Sequence, residues 1–327
     1  MRADELDRRA RWPDLAEVVL TATRAGPRLW QRRRDELDLR LGLADLPARV
    51  GATGDLGGLR TTARDVPVVV ALGQVGVLGV AGRQARALAR GALLSTAVLH
   101  GPGDLQVVVL APVATTQDWA WTVWLPHTRP DAGQDCRALL GLGPRQAATR
   151  IAELVGLLDA RRAEPPGPGR TDRRPVLLLV DGPAALRGLP GLVRLLAEGP
   201  EHGLHVVCVE DDPLLLPPEC RASAVVDGAQ LLVRTLGQDE ITGTADLLTV
   251  ELAELAARAL APLQEPDRGG ADGLPPHVRW TDEVGLPLSG GTGDVDGVLA
   301  RWAAPDRSGA AVLGRGTGGP LAVDLVR

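Results

Sequence analysis

No lysine occurs anywhere in the 327 residues. Phenylalanine, tyrosine and asparagine are absent as well, and isoleucine is confined to Ile151 and Ile241. All of these residues have AT-rich codons, so their shared scarcity points to a GC-rich genome that supplies arginine for every cation. Arginine in place of lysine is therefore no functional signal by itself. With no Phe or Tyr, the seven tryptophans are the only large aromatic fillers, and the core is left to Leu, Val and Ala. The missing lysine has one direct consequence: a phosphate-binding loop of the form GxxxxGK[ST] cannot be completed.

Cysteine is scarce too. Cys136, Cys208 and Cys220 are odd in number, far apart and without a CxxC pair. That argues against a zinc site and suggests a reducing compartment. Cys208 lies inside an apolar run, where a free thiol is usually core. The net charge of −5 and pI of about 5.6 argue against a nucleic-acid surface, which needs a basic face. Arg8-Arg9-Ala10-Arg11 and Arg32-Arg33-Arg34 are interleaved with acids on expected helices and read as solvated faces. The N-terminus MRADELDRRARWPDL is charged throughout, unlike a signal peptide. One run, VPVVVALGQVGVLGVAG at 66–82, approaches a membrane span, but it falls short of ~20 residues and holds four glycines and Gln74. It reads as two buried strands split near Gly73.

What is present is an alternation of strands and helices. Residues 3–34 are amphipathic and helical, with breaks at Pro13 and Gly26-Pro27. ELDLRLGLADLPARV alternates charge and leucine with period two, as short strands do. A strand at 75–80 leads into a long helix at about 83–99, and LQVVVLAP is the next buried strand. Helices at 147–162 and 249–263 and strands PVLLLVDG, LHVVCVED, ASAVVDG and AQLLVRTL follow the same rule, with a polar loop at 163–174. Near-continuous Val/Leu runs predict a mostly parallel sheet covered by helices on both faces. From Gln264 onward the chain is rich in Gly, Pro and Asp, with a late strand pair, AAVLG and LAVDLV. The expected division is 1–60 for N-terminal helices and short strands, 61–264 for the α/β domain, and 265–327 for a Gly/Pro-rich linker with a β-hairpin extension.

The stretch VGVLGVAGRQARALARG begins as a phosphate loop would, with an apolar strand, glycines and then a helix. Gly79 and Gly82 are the glycines, and Arg83 takes the nearest cationic place. Only Ala81-Gly82 separate the expected strand and helix, too few to wrap a phosphate chain, and no hydroxyl follows Arg83. The second half of such a site is an apolar strand ending in Asp and followed by an acidic base. PVLLLVDG supplies Asp181 at the magnesium-ligand position, but Gly182 stands where the base belongs. Gly79, Gly82, Arg83, Asp181 and Gly182 thus form at most a vestigial nucleotide site. The plain structural alternative is that Asp181 ends a buried strand and caps the next turn.

Other motifs point nowhere else. GRGTGG at 314–319 matches GxGxxG, but it precedes Pro320 and an alternating strand, as a hairpin turn does. His202 and His205 form HxxH without an acidic ligand at metal spacing. No Ser sits in GxSxG, and no Cys-His pairing is suggested. The expectation is no catalytic residue, no cofactor and no metal.

Several stretches, in order, resemble the N-terminal cytoplasmic module of EccC, the FtsK/SpoIIIE-class ATPase of type VII secretion systems. RLWQRRRDELDLRLGLADLPARV is similar to that family's Trp-(acidic)-Arg-Arg segment and the strand after it. Residues 66–110 are similar to its lysine-free pseudo-phosphate loop, long helix and second strand. WAWTVWLPHTRP resembles its W-x-W-x-x-W-L-P-H signature at Trp119, Trp121, Trp124, Leu125, Pro126 and His127, the most specific match. HGLHVVCVEDDPLLLPPECRASAVVDG and GRGTGGPLAVDLVR resemble later strand and hairpin segments of the family. Packing alone would also explain a Trp cluster in a chain without Phe or Tyr.

The resemblance implies a degenerate P-loop NTPase fold and a non-catalytic scaffold that relays position and nucleotide state between the membrane complex and the active ATPase modules. Its implied partners are other type VII secretion components and those active modules, with no nucleic acid. The implied place is the cytoplasmic, inner face of the plasma membrane, without insertion by this chain. The sequence departs from the family pattern in lacking two membrane helices before the module and active modules after it. Two other readings stay open: a weak ATP-binding regulatory domain using Asp181 and Arg83, and a DNA-translocase accessory, which the acidic balance disfavours.

Overall fold

The computed structural model describes residues 2–49, 62–130, 134, 136–164, 173–265, 278–283, 295–303, 310–316 and 319–324. The chain divides into two compact units, Met1–Glu265 and Pro266–Arg327. In chain order, the larger unit has α1 (Arg2–Arg11), α2 (Leu15–Arg24), β1 (Asp38–Pro47), β2 (Thr62–Ala71), α3 (Leu72–Val75) and β3 (Val77–Ala81). It continues with α4 (Ala85–Leu99), β4 (Gln106–Ala111), α5 (Thr116–Trp119), β5 (Leu140–Leu142), α6 (Pro144–Ala163) and β6 (Val176–Asp181). It ends with α7 (Pro183–Leu186), α8 (Leu192–Glu198), β7 (Leu204–Glu210), β8 (Ala222–Asp227), β9 (Gln230–Thr235), β10 (Ile241–Ala245) and α9 (Val250–Leu260).

The strands make one sheet in the order β2-β1-β10-β9-β8-β3-β7-β6-β4-β5. From β8 to β5 every pairing is parallel; from β8 through β9, β10 and β1 to β2 every pairing is antiparallel. The expected mostly parallel sheet is thus the half that carries β3, β6 and β7. Its strands are apolar on both sides because both faces are covered. Val107, Val109, Leu177, Leu179, Val207 and Val209 point into a core shared with α2, α4, α9 and the tryptophans. Their alternates Val108, Leu110, Leu178, Val180, Val206 and Cys208 point into a second core under α6 and α8.

Pro13 separates α1 from α2, and Asp14 caps α2 by accepting the Glu17 N–H at 2.8 Å. The expected helix beyond Gly26-Pro27 does not form. Trp30 N–H donates to Val98 O at 3.0 Å and Arg32 N–H to Leu99 O at 2.8 Å. The segment thus satisfies the terminal carbonyls of α4, which a helix leaves without partners, instead of its own. The arginine clusters are accordingly not simple solvated faces: Arg8 is buried and paired with Asp4, and Arg32-Arg33-Arg34 lie on no helix. Residues 66–82 split as β2, α3 and β3, and among the described residues no helix is long and apolar enough to cross a membrane. β1 lies within the sheet, hydrogen-bonded to both β2 and β10.

The smaller unit contains α10 (Trp280–Glu283), α11 (Val295–Ala303), β11 (Ala310–Gly316) and β12 (Gly319–Asp324). The two strands pair antiparallel, with Gly316 opposite Gly319, so GRGTGG spans a hairpin rather than a strand–helix junction. Residues 317–318 of that motif lie outside the described residues.

Candidate functional site

The parallel half of the sheet brings the C-terminal ends of β3, β6 and β7 side by side, the edge at which α/β sheets form their ligand crevices. Ala81 is opposite Glu210, and Asp181 is opposite Val209. Gly82 and Arg83 follow β3, and Asp181 and Gly182 end and follow β6, so these four lie along one edge of the sheet. Gly79 does not join them. It lies inside β3, where an added Cβ would meet Leu216 and Cys220 at 2.8 and 3.1 Å.

The turn after β3 is closed on itself. Gly82 has φ +111°, and a Cβ there would lie 2.0 Å from Val226 O on β8. Its N–H donates to Glu210 O at 3.2 Å, and Ala85 N–H donates back to Gly82 O at 3.0 Å. Gln84, at the start of α4, accepts the Gly228 N–H through Oε1 at 2.9 Å. Arg83 points to solvent and lies 3.9 Å from the equally exposed Asp227. It does not reach Asp181.

The cation at Asp181 is Arg86, from the first turn of α4. Its Nε donates to Asp181 Oδ2 at 2.9 Å, and its terminal nitrogens donate to Asp211 at 2.7 and 3.3 Å. Burial works against the Arg86 charge, but the hydrogen bonds to Asp211 and Asp181 more than offset it and hold the guanidinium protonated. Asp181 is fully buried, and its Oδ2 also accepts the indole N–H of Trp119 at 2.9 Å. Its Oδ1 has no hydrogen-bond partner among the described residues. Asp181 therefore caps no turn. Gly182, in the left-handed region at φ +63°, directly precedes α7 instead. Glu210, the last residue of β7, accepts the Ala184 N–H at 2.9 Å. Its carboxyl is pushed up, first by burial, against the Ala184 bond, and then by Asp181 and Asp211 nearby.

The tryptophan segment forms one wall. Trp119 and Trp121 are buried, as are Leu125, Pro126 and His127. They sit on successive tight turns held by Thr122 Oγ1 donating to Trp119 O at 2.7 Å and Thr128 Oγ1 donating to Leu125 O at 2.9 Å. Trp124 is different: it is 38% exposed, with Arg258 of α9 stacked 4.1 Å from its ring centre. His127 Nε2 donates to His100 O at 2.8 Å, and burial pushes its pKa down to about 4. Sequence reasoning missed Arg86, Glu210 and Asp211. It also missed the bond that makes Trp119 part of the site.

The turn after β3 differs from a phosphate-binding loop in two respects. Phosphates need free backbone amides and a cation at the turn after β3. Here the Gly82 and Ala85 amides are spent within the fold, and the cation is already paired with two carboxylates. Among the described residues, no group of three or more His, Cys, Asp or Glu is arranged to hold a metal ion.

No family model matches the chain. The ESX-5 secretion system protein EccC5 of Mycobacterium tuberculosis is 25% identical over a 214-residue alignment that covers 55% of this chain and 15% of that protein. The ESX-4 secretion system protein EccC4 of the same species is 24% identical over 279 residues, 75% of this chain and 22% of that protein. The chain thus spans only a minor part of the length of these relatives. Among solved structures, EssC (ATPases 2 and 3) from Geobacillus thermodenitrificans superposes with a TM-score of 0.50 at 14% identity, covering 92% of this chain and 61% of that one. That likeness concerns the fold. In sequence the chain is similar to EccC proteins of ESX secretion systems, and in fold it is similar to the ATPase domains of EssC.

Proposed function

We propose that the chain is a non-catalytic, ATPase-like module of a type VII secretion protein, which links a membrane complex to active ATPase modules. In this reading residues 61–264 carry the degenerate ATPase-like part, whose sheet β1 of segment 1–60 joins, and 265–327 are the flanking extension. Its partners are other secretion components and the active modules, met at the inner face of the membrane without insertion of this chain. The observation that carries the proposal is the ion pairing of Arg86 with Asp181 and Asp211. An arginine of the chain itself stands against the strand-end carboxylate, and the tight turn at Gly82 leaves no phosphate cradle. Losing charge stabilisation and water activation together removes many orders of magnitude in rate.

The test is phosphate release by the purified chain at millimolar Mg-ATP, with Asp181→Ala as the control. Both proteins should stay at background. Wild-type turnover that vanishes in Asp181→Ala would overturn the scaffold reading. A second reading, weak nucleotide binding for regulation, draws on the buried Oδ1 of Asp181. A nucleotide-dependent rise in melting temperature without turnover would favour it.

A further inference from the structure

The β7–β8 connection has no crossover helix. Residues 211–221 return along one face of the sheet with a single helical turn, Pro213–Leu215, and Leu214 stands 90% exposed at its crest. What seats this strap is Gly79. In β3 it is in register with Cys208 of β7 on one side and Ser223 of β8 on the other. Its missing side chain leaves the space that Leu216 and Cys220 fill, with Cys220 Sγ 3.1 Å from where a Cβ would be. Cys220 thereby lies over Gly79, next to Cys208 in register on the neighbouring strand, and both sulfurs belong to the apolar cluster on this face of the sheet. The third cysteine, Cys136, also borders this cluster but lies away from Gly79, where its sulfur accepts from Arg150 at 2.6 Å.

We propose that Cys208 and Cys220 are a redox-active dithiol that closes to a disulfide across Gly79 when a hydroperoxide is present. Cys220 is partly exposed and reacts first. Its sulfur displaces one peroxide oxygen, the O–O bond breaks, and a sulfenic acid and one water (or alcohol) result. Cys208 sulfur then displaces the sulfenic oxygen as a second water, forming the S–S bond. The two sulfurs have given two electrons to the peroxide, and the thiol protons leave in the products. Cys208 is fully buried, and Cys220 beside it and then burial push its pKa up, so it does not meet the peroxide first and acts second, through its closeness to Cys220. Thiol reductants reverse the bond by exchange. The oxidised strap carries Asp211, so the bond also fixes the partner of Arg86.

No arginine lies between Arg194 and Arg221, so trypsin places both cysteines on one peptide, 195–221. The full chain is treated with hydrogen peroxide, denatured, alkylated and digested without reduction. The expected product is that peptide, unalkylated and lighter by two hydrogens, restored to two alkylated sites by dithiothreitol. Cys136→Ser should give the same result. Cys220→Ser, checked for folding by circular dichroism, should leave Cys208 alkylatable. Oxidation confined to Cys136, or Cys220 carried to sulfinic acid while Cys208 stays a thiol, would overturn the proposal in the wild-type chain, whatever the variants do.

Discussion

The indole nitrogen of Trp119 donates to Oδ2 of Asp181 at 2.9 Å, and neither side chain has access to solvent. The bond joins the tryptophan segment to the strand-end carboxylate, so one residue serves packing and electrostatics together. The two roles are separable. Trp119→Phe keeps most of the ring and removes the donor, which should cost about 1–3 kcal/mol as a lost bond to a buried charged group. Trp121, buried beside it, donates only to Asp118 O at 3.0 Å. Trp121→Ala should cost about 3–5 kcal/mol through the cavity it leaves. Urea titrations would check both, and an unchanged midpoint for Trp121→Ala would show that the segment is not core.

Arg86 is the second guard of the same carboxylate. Arg86→Ala strands Asp181 as a buried charge with only an indole partner. Breaking a buried pair from one side costs about 3–5 kcal/mol, and the partial exposure of Arg86 places the expected value at the lower end. Asp181→Asn alone should cost less, because an amide tolerates burial better than an unpaired carboxylate. The double variant should be more stable than the sum of the singles predicts. Additive losses in this cycle would mean that the pair is not coupled.

The glycines at the edge rank by what surrounds them. Gly82→Ala sets a Cβ 2.0 Å from Val226 O at φ +111°, and backbone has to move. At Gly182 the φ is +63° and the nearest atom is Pro112 Cγ at 3.4 Å. Gly182→Ala should therefore cost only about 1–2 kcal/mol, the usual left-handed penalty. Gly82→Ala should lower the melting temperature far more or prevent folding. Equal shifts for the two variants would contradict the close approach of this turn to β8.

Much of the parallel half was legible, because strands buried on both faces must be near-continuous Val and Leu. β10 was not: ITGTA has no apolar period, and it holds its place by pairing with β9 and β1. Asp181 was legible from its place at the end of an apolar run. Arg86 was not, since Arg83 is nearer in sequence and only the phase of α4 decides which arginine turns toward β6. Trp119, Trp121 and Trp124 look equivalent in sequence. They separate only in three dimensions, where Trp124 stays at the surface under Arg258.

Acid should destabilise the chain through buried histidines before it reaches most carboxylates. Burial pushes His127 down to about 4 from 6.5, and burial followed by the Arg161 charge pushes His205 down to about 4. A depressed histidine is neutral when folded, while the unfolded chain takes up the proton below about 6.5. Unfolding therefore binds protons between about 6.5 and 4, and stability falls as pH falls through that window. For His127 the full effect is on the order of 3 kcal/mol. Glu210 and Asp246 work the other way, because burial raises both and acid relieves them. The histidine contribution can be isolated with His127→Gln, whose amide can still donate to His100 O. At pH 7 the variant should be less stable than wild type or equal to it. On going to pH 5 its melting temperature should fall less than that of wild type. Parallel curves for the two proteins would show that His127 does not titrate as a buried neutral group.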